Sequence, residues 1–129
     1  VEGALSRREI SGAGVALLLT GFAPGKAAAQ PGGDLFGLIG EMKAMPWRRT
    51  ELVGYLLQAS NEMPGNPAYI VAEDAGDPDT IWITEVWRSK ADHEASLALP
   101  QVREVISKAR PIIAGFGRSV ETRPVGFSQ

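Results

Sequence analysis

The stretch Thr80-Ile81-Trp82-Ile83-Thr84-Glu85-Val86-Trp87-Arg88 decides how the rest of the chain is arranged. Seven of these nine residues are aromatic or β-branched, the side chains that fit a pleated, packed surface. Side chains alternate along a strand, so Ile81, Ile83, Glu85 and Trp87 share one face and Trp82, Thr84, Val86 and Arg88 the other. Both faces carry large apolar groups, so the stretch reads as a central strand. Helices are expected on one face, and a second sheet or a ligand cavity on the other. A charged Glu85 in this setting needs a partner or a task, and the ordinary expectation is a half-buried carboxylate paired with an arginine.

Outward from this strand, Ala68–Glu73 alternates as a second strand, with Tyr69 and Val71 on one face. Asp74-Ala75-Gly76-Asp77-Pro78-Asp79 is turn chemistry and joins the two as a hairpin with a longer loop. Upstream, Asp34–Ala44 alternates, with Phe36, Leu38, Gly40 and Met42 on the core side. Pro46 suits the first turn of a helix, in which Leu52, Leu56, Ala59 and Met63 recur at helical spacing before Pro64-Gly65 ends it. Downstream, Ser89 caps a short helix, and Pro100 opens a second in which Val102, Val105, Ile106 and Ala109 keep the helical period. Gly115-Phe116-Gly117 reads as a connector and Arg118–Arg123 as a final strand. The order β-α-β-β-α-α-β is that of an α+β, ferredoxin-like layer. Helices cover one sheet face, and an identical copy is expected to cover the other.

The chain has 129 residues, the size of one domain, with 44% apolar and 22% charged residues. A net charge of −2 offers no attraction to nucleic acid or to an anionic membrane. There is no cysteine and only one histidine, His93, which excludes disulfides and Cys/His zinc sites. The acids Glu73, Asp74, Asp77 and Asp79 lack the spacing of a calcium loop and read as a turn. Residues 1–29 carry a paired-arginine head (Arg7-Arg8), an apolar run and Ala27-Ala28-Ala29, in the order of an export signal of the twin-arginine kind. The general secretory route is the alternative. The expectation is an exported protein, periplasmic or secreted. Residues 30–33 form a flexible lead-in, 34–123 the domain and 124–129 a tail.

Three segments in order carry a resemblance. They are Met63-Pro64-Gly65 before the Tyr69 strand, Asp77-Pro78-Asp79-Thr80-Ile81-Trp82, and Glu85-Val86-Trp87 followed by Ser89-Lys90-Ala91. Together they resemble the antibiotic biosynthesis monooxygenase, or quinol monooxygenase-like, domain over about Leu35–Thr122. The resemblance implies a dimeric α/β barrel. It also implies, for some members, oxidation of quinols or polycyclic phenols by O2 with neither metal nor flavin. One departure concerns histidines that members place in the helix after the tryptophan; those positions fall here near Ser96 and at Gln101, and haem-degrading relatives need an axial histidine for which only His93 is on offer.

Such chemistry needs a base, an apolar wall for the ring and a polar group for the developing anion. His93 is the candidate base, because imidazole alone titrates near neutrality without special tuning. Its flanks, Asp92 and Glu94, weigh toward a surface histidine instead. Tyr69 is a candidate hydrogen-bond donor to a quinol oxygen and Arg88 a candidate partner of an anionic intermediate. Phe36, Met42, Trp82 and Trp87 are candidate substrate walls, and core packing accounts for them equally well. Of the two tryptophans on opposite faces, one should be core and the other should line the cavity. The expected partners are a small aromatic or quinol substrate, O2 and a second copy. The alternative is a dimeric barrel that binds a small ligand without turnover, since fold does not settle function.

Overall fold

The computed structural model describes residues 34–128, so the export signal of residues 1–29 and the lead-in 30–33 lie outside it. The elements run β1 (Phe36–Ala44), α1 (Arg49–Ala59), β2 (Ala68–Glu73), β3 (Thr80–Trp87), α2 (Lys90–Ser96), α3 (Pro100–Ala109), a 3-10 turn (Arg110–Ile112) and β4 (Ile113–Thr122). The order is the expected ferredoxin-like β-α-β-β-α-α-β. The strands form one open antiparallel sheet in the order β2-β3-β1-β4, which puts β3 in the interior.

The register sorts the two faces of β3. Phe36, Leu38, Gly40 and Met42 of β1 stand opposite Trp87, Glu85, Ile83 and Ile81, while Tyr69 and Val71 of β2 stand opposite Glu85 and Ile83. This face lies under the helices. Leu38, Met42, Ile81 and Ile83 join Leu52 and Leu56 of α1, Ala109 and Ile112 in one buried cluster; Met63, Trp87 and Val102 make a smaller one beside it. Burial of a Leu or Ile side chain contributes about 1.5–3 kcal/mol, so this face holds most of the folding free energy.

Among the described residues the opposite face is left largely open, although Pro124 of the tail lies against Gly37, the partner of Val86, and Val86 itself is buried. Ile70, Thr84, Ile39 and Val120 are directly paired in turn across the four strands. Ile39 is 37% exposed, Val120 51% and Ile70 55%. Trp82 and Val86 belong to this side of β3.

Three local readings are corrected. Helix α1 starts at Arg49, because Trp47 sits at φ +67°, through which a right-handed helix cannot run. It ends at Ala59, and Glu62 at φ +58° turns the chain, so Met63 reaches the core from a loop rather than from the helix. The final strand begins at Ile113, so Gly115-Phe116-Gly117 lies within β4 rather than before it. There β4 bulges against β1: the Arg118 N–H donates to Glu41 Oε1 at 2.9 Å, and a Cβ on Gly117 would collide with that carboxylate.

The Asp74–Asp79 loop is held from outside. The Arg49 guanidinium donates to the carbonyls of Asp74 at 3.2 Å, Asp77 at 2.7 Å and Thr80 at 3.1 Å. The Asp74 carboxylate accepts the N–H groups of Gly76 and Asp77, so the acids serve the turn, as read.

Candidate functional site

At one end of the sheet, under α2, five side chains converge from four elements. The hydroxyl of Ser89 accepts the Asp92 N–H at 3.0 Å and so starts α2 in a fixed phase. That phase turns His93 and Ser96, three residues apart, toward the sheet. Ser96 Oγ donates to the His93 carbonyl at 2.6 Å. His93 is thereby 6% exposed, which corrects the surface position its charged neighbours suggest.

The His93 imidazole meets the edge of Trp87, ring centres 5.3 Å apart at 72°, and lies 5.6 Å from Phe36 at 40°. Tyr69, on the neighbouring strand, packs on the Met63–Trp87–Val102 cluster. Glu85 is 1% exposed. Its Oε1 accepts the Trp87 indole N–H at 2.8 Å and stands 3.9 Å from His93 Nε2. Tryptophan and histidine, not an arginine, are its neighbours, which corrects the expected arginine pairing. Among the described residues, Glu85 Oε2 and His93 Nε2 are the buried side-chain polar atoms with no hydrogen-bond partner.

Burial moves the two groups in opposite directions. Desolvation raises Glu85 from 4.5 to about 7, with the Trp87 N–H opposing. Desolvation, helped by the charge of Lys90, lowers His93 from 6.5 to about 4. Between those values the neutral carboxylic acid and the neutral imidazole coexist. Tyr69 is held well above the ordinary phenol value, first by desolvation and then by the Glu85 charge. Lys90 Nζ lies 5.7 Å from the centre of the Phe36 ring and 3.5 Å from Glu121 Oε2.

The raised Glu85 value has a consequence for stability. The protonated form favours the fold, so its full contribution is present below about 4.5 and is lost as pH rises through about 7. A difference of this size corresponds to something on the order of 3 kcal/mol. Glu85→Gln keeps an oxygen for the Trp87 N–H and removes the ionisation. Its stability relative to the wild type should therefore rise from about pH 5 to about pH 8 by up to ~3 kcal/mol. Urea denaturation at the two pH values measures this, and a pH-independent difference would contradict it.

The structure thus brings His93, Tyr69, Phe36 and Trp87 together and adds Glu85. The remaining sequence candidates lie elsewhere. Arg88 is exposed at the strand end, its backbone N–H bonded to the Gly65 carbonyl at 2.8 Å. Met42 is fully buried in the larger core cluster. Trp82 is on the uncovered face, its indole N–H on Asp74 Oδ2 at 2.8 Å and its ring 5.5 Å from the Arg118 guanidinium carbon. Glu85 carried a signal in the sequence, as the one charge on an otherwise apolar face of the central strand. A separate cavity of about 370 Å³, lined by Trp47, Arg49, Thr50, Glu73 and Asp79 with two prolines, opens at the other end of the sheet. Among the described residues no group of three His, Asp or Glu could hold a metal ion, and no helix is long and apolar enough to cross a membrane.

The family model for antibiotic biosynthesis monooxygenases matches residues 38–108. A solved structure from Chloroflexus aurantiacus J-10-fl, provisionally named an antibiotic biosynthesis monooxygenase, is 47% identical. It matches 74% of this chain and 97% of its own, with a TM-score of 0.72. Two others with the same provisional name share the fold alone. One, from Bacteroides thetaiotaomicron VPI-5482, is 15% identical over 74% of this chain and 96% of its own, with a TM-score of 0.66. The other, from Caulobacter crescentus CB15, is 14% identical over 74% and 92%, with a TM-score of 0.61. No curated protein matches the chain. The extent of the family match and the identity of the Chloroflexus structure place this chain in the antibiotic biosynthesis monooxygenase family.

Proposed function

We propose that the protein oxidises a quinol or a related hydroxylated aromatic with O2, using neither metal nor flavin. Family membership supports monooxygenase chemistry in general terms. The observation that carries the finer reading is the lone histidine, buried between two aromatic rings with Nε2 unpartnered. A phenol becomes a ready electron donor once it loses its proton. His93 takes that proton; burial keeps its imidazole neutral at physiological pH but lowers it to about 4, below the near-neutral value the sequence suggests, so the transfer relies on the imidazolium forming beside the phenolate. Phe36, partly exposed and backed by the buried Trp87 cluster, holds the ring, and the Tyr69 hydroxyl bonds a second ring oxygen. The electron-rich anion then reduces O2. One oxygen atom enters the ring and the other leaves as water, so quinol plus O2 gives hydroxyquinone plus water.

Oxygen uptake by the protein with a small quinol tests this reading. Uptake without added metal or flavin that falls in Tyr69→Phe supports it. Saturable binding across a phenol panel with no uptake overturns it in favour of a binding barrel without turnover.

In the same reading a second copy covers the Ile39, Ile70 and Val120 face and closes the barrel, because an apolar row across a whole sheet is poorly tolerated in water. Ile39→Asp, at the centre of that row, is expected to convert a dimer to a monomer in light scattering. An unchanged dimer would place the interface elsewhere. Residues 1–29 act as an export signal, so the protein works outside the cytoplasm. The mass of the exported chain tests this, since retention of residues 1–29 would contradict it.

A further inference from the structure

Among the described residues, two buried polar atoms have no hydrogen-bond partner, Glu85 Oε2 and His93 Nε2, and their side chains approach each other to 3.9 Å through Glu85 Oε1. Leaving a buried polar atom unpaired costs about 1–3 kcal/mol. Two such atoms in one place, on side chains of opposite chemistry, mark a site built for a third group. The Glu85 carboxyl is fixed by the Trp87 N–H on Oε1, which leaves Oε2 as its free corner. The His93 ring is fixed by Trp87 and Phe36 and by the backbone phase of α2. At 3.9 Å the imidazole and carboxyl are too far apart to bond each other. A hydroxyl oxygen can instead bond both, since it accepts one hydrogen bond and donates another.

We propose that Glu85, as a neutral carboxylic acid, donates a hydrogen bond from Oε2 to the oxygen of a phenol-type substrate while His93 Nε2 takes that oxygen's proton. The proposal rests on the hydroxylated-aromatic reading above and adds Glu85 as a catalytic residue that holds the anion. The O–H bond of the phenol breaks and an N–H bond forms on His93. The electron pair stays on oxygen, facing the Glu85 hydroxyl. The imidazolium forms only beside the phenolate, so no net charge is added to the site. The partly exposed Phe36 and Tyr69 mark the side by which the ring enters.

The surroundings suit a carboxylic acid rather than a carboxylate. From β1, Leu38 stands opposite Glu85 and offers no charge. From β2, Tyr69 stands opposite and keeps its proton. From α3, Val102 and Ile106 are apolar and pack on the Trp87 cluster. On α2, Lys90 is the nearby cation, and it is engaged with Glu121 and the Phe36 ring. Two titratable groups whose surroundings push them apart, one kept acidic in form and one basic, are the pattern of an acid–base pair with assigned roles.

The test uses 4-nitrophenol, whose absorption tells whether phenol or phenolate is bound, with the wild type, Glu85→Gln and Glu85→Leu. At about pH 6 the wild type should bind it with phenolate absorption. Above neutrality Glu85 and free 4-nitrophenol have each lost a proton that the complex holds, so affinity should fall by up to about a hundredfold per pH unit. Glu85→Gln retains an N–H donor without a titration of its own, so its affinity should fall only about tenfold per pH unit above neutrality, the part owed to the ligand's proton. Glu85→Leu should bind weakly at both. His93 is the chain's one histidine, so the nitrogen shifts of a single imidazole report whether it gains the proton on binding. Wild-type affinity that is equal at the two pH values, or a Gln variant as weak as Leu, overturns the assignment. Oxygen uptake is a separate readout. Nitrophenol bound as described, with no uptake for any quinol, would remove the oxidation reading and leave this one standing.

Discussion

His93→Gln is expected to lower kcat/KM for quinol oxidation by about 10²- to 10⁴-fold, the usual contribution of a positioned general base. The loss should fall mainly on kcat, because Phe36 still holds the substrate ring, while the substitution removes the proton acceptor together with the imidazole's contacts to Phe36 and Trp87. Glutamine is polar and near in size, and it enters as a neutral group where the imidazole is already neutral. Stability near neutral pH should fall by about 0.5–1.5 kcal/mol, for the lost ring contacts with Trp87 and Phe36. Below about pH 6 this deficit should shrink and then reverse. The depressed His93 value makes the wild type lose stability as pH falls from 6.5 through about 4, because the unfolded chain binds the proton first. Steady-state oxygen uptake with melting curves at two pH values measures both. An unchanged kcat would remove His93 from the mechanism, whatever the stability result.

The second large effect concerns the two tryptophans. Trp87 is wholly buried, belongs to the smaller core cluster, and gives its indole N–H to Glu85. Trp87→Ala should cost about 3–5 kcal/mol, the range for large aromatic truncations in a core. That approaches the whole stability of a small domain, about 5–15 kcal/mol. Trp87→Phe is the milder companion. It keeps most of the packing and removes the N–H, leaving a buried acceptor without its donor, at about 1–3 kcal/mol. Trp82→Ala should cost clearly less than Trp87→Ala, because the Trp82 ring is half-exposed on the uncovered face and its main partners are Asp74 and Arg118. Urea denaturation ranks the three. Equal losses from Trp82→Ala and Trp87→Ala would show that the uncovered face holds as much of the fold as the helical one, as a tight dimer would require.

The arrangement of elements was legible because it is written in local periods. The alternation through Thr80–Trp87, the hairpin residues of Asp74–Asp79, the Ser89 cap and the Pro100 helix start each act within a few residues, and all stand where the sequence put them. The misreadings arose where one conformation overrode the period. Trp47 and Glu62, both at positive φ, shortened the first helix at each end. The bulge opposite Glu41 let Phe116 and its two flanking glycines join a strand that their composition argues against.

The site was legible only in part. Strand phase put Glu85 and Trp87 on the same face, yet both faces of the strand are apolar, so the phase could not say which one the helices take. The register with Phe36 and Tyr69 decided that, and with it separated Trp87 from Trp82. His93 was hidden by its neighbours. On a helix of seven residues Asp92 and Glu94 point some 100° to either side, and two turns are too few to display a buried stripe.

By itself the sequence determined the order of strands and helices, their main caps and turns, and the presence of one lone charge on a core face. Only the tertiary structure decided that this charge meets the single histidine with neither atom satisfied. Periodicity tells a side chain which way to point relative to its own backbone; what it finds there depends on which other elements arrive, and those contacts are set by the packing of the whole sheet against its helices.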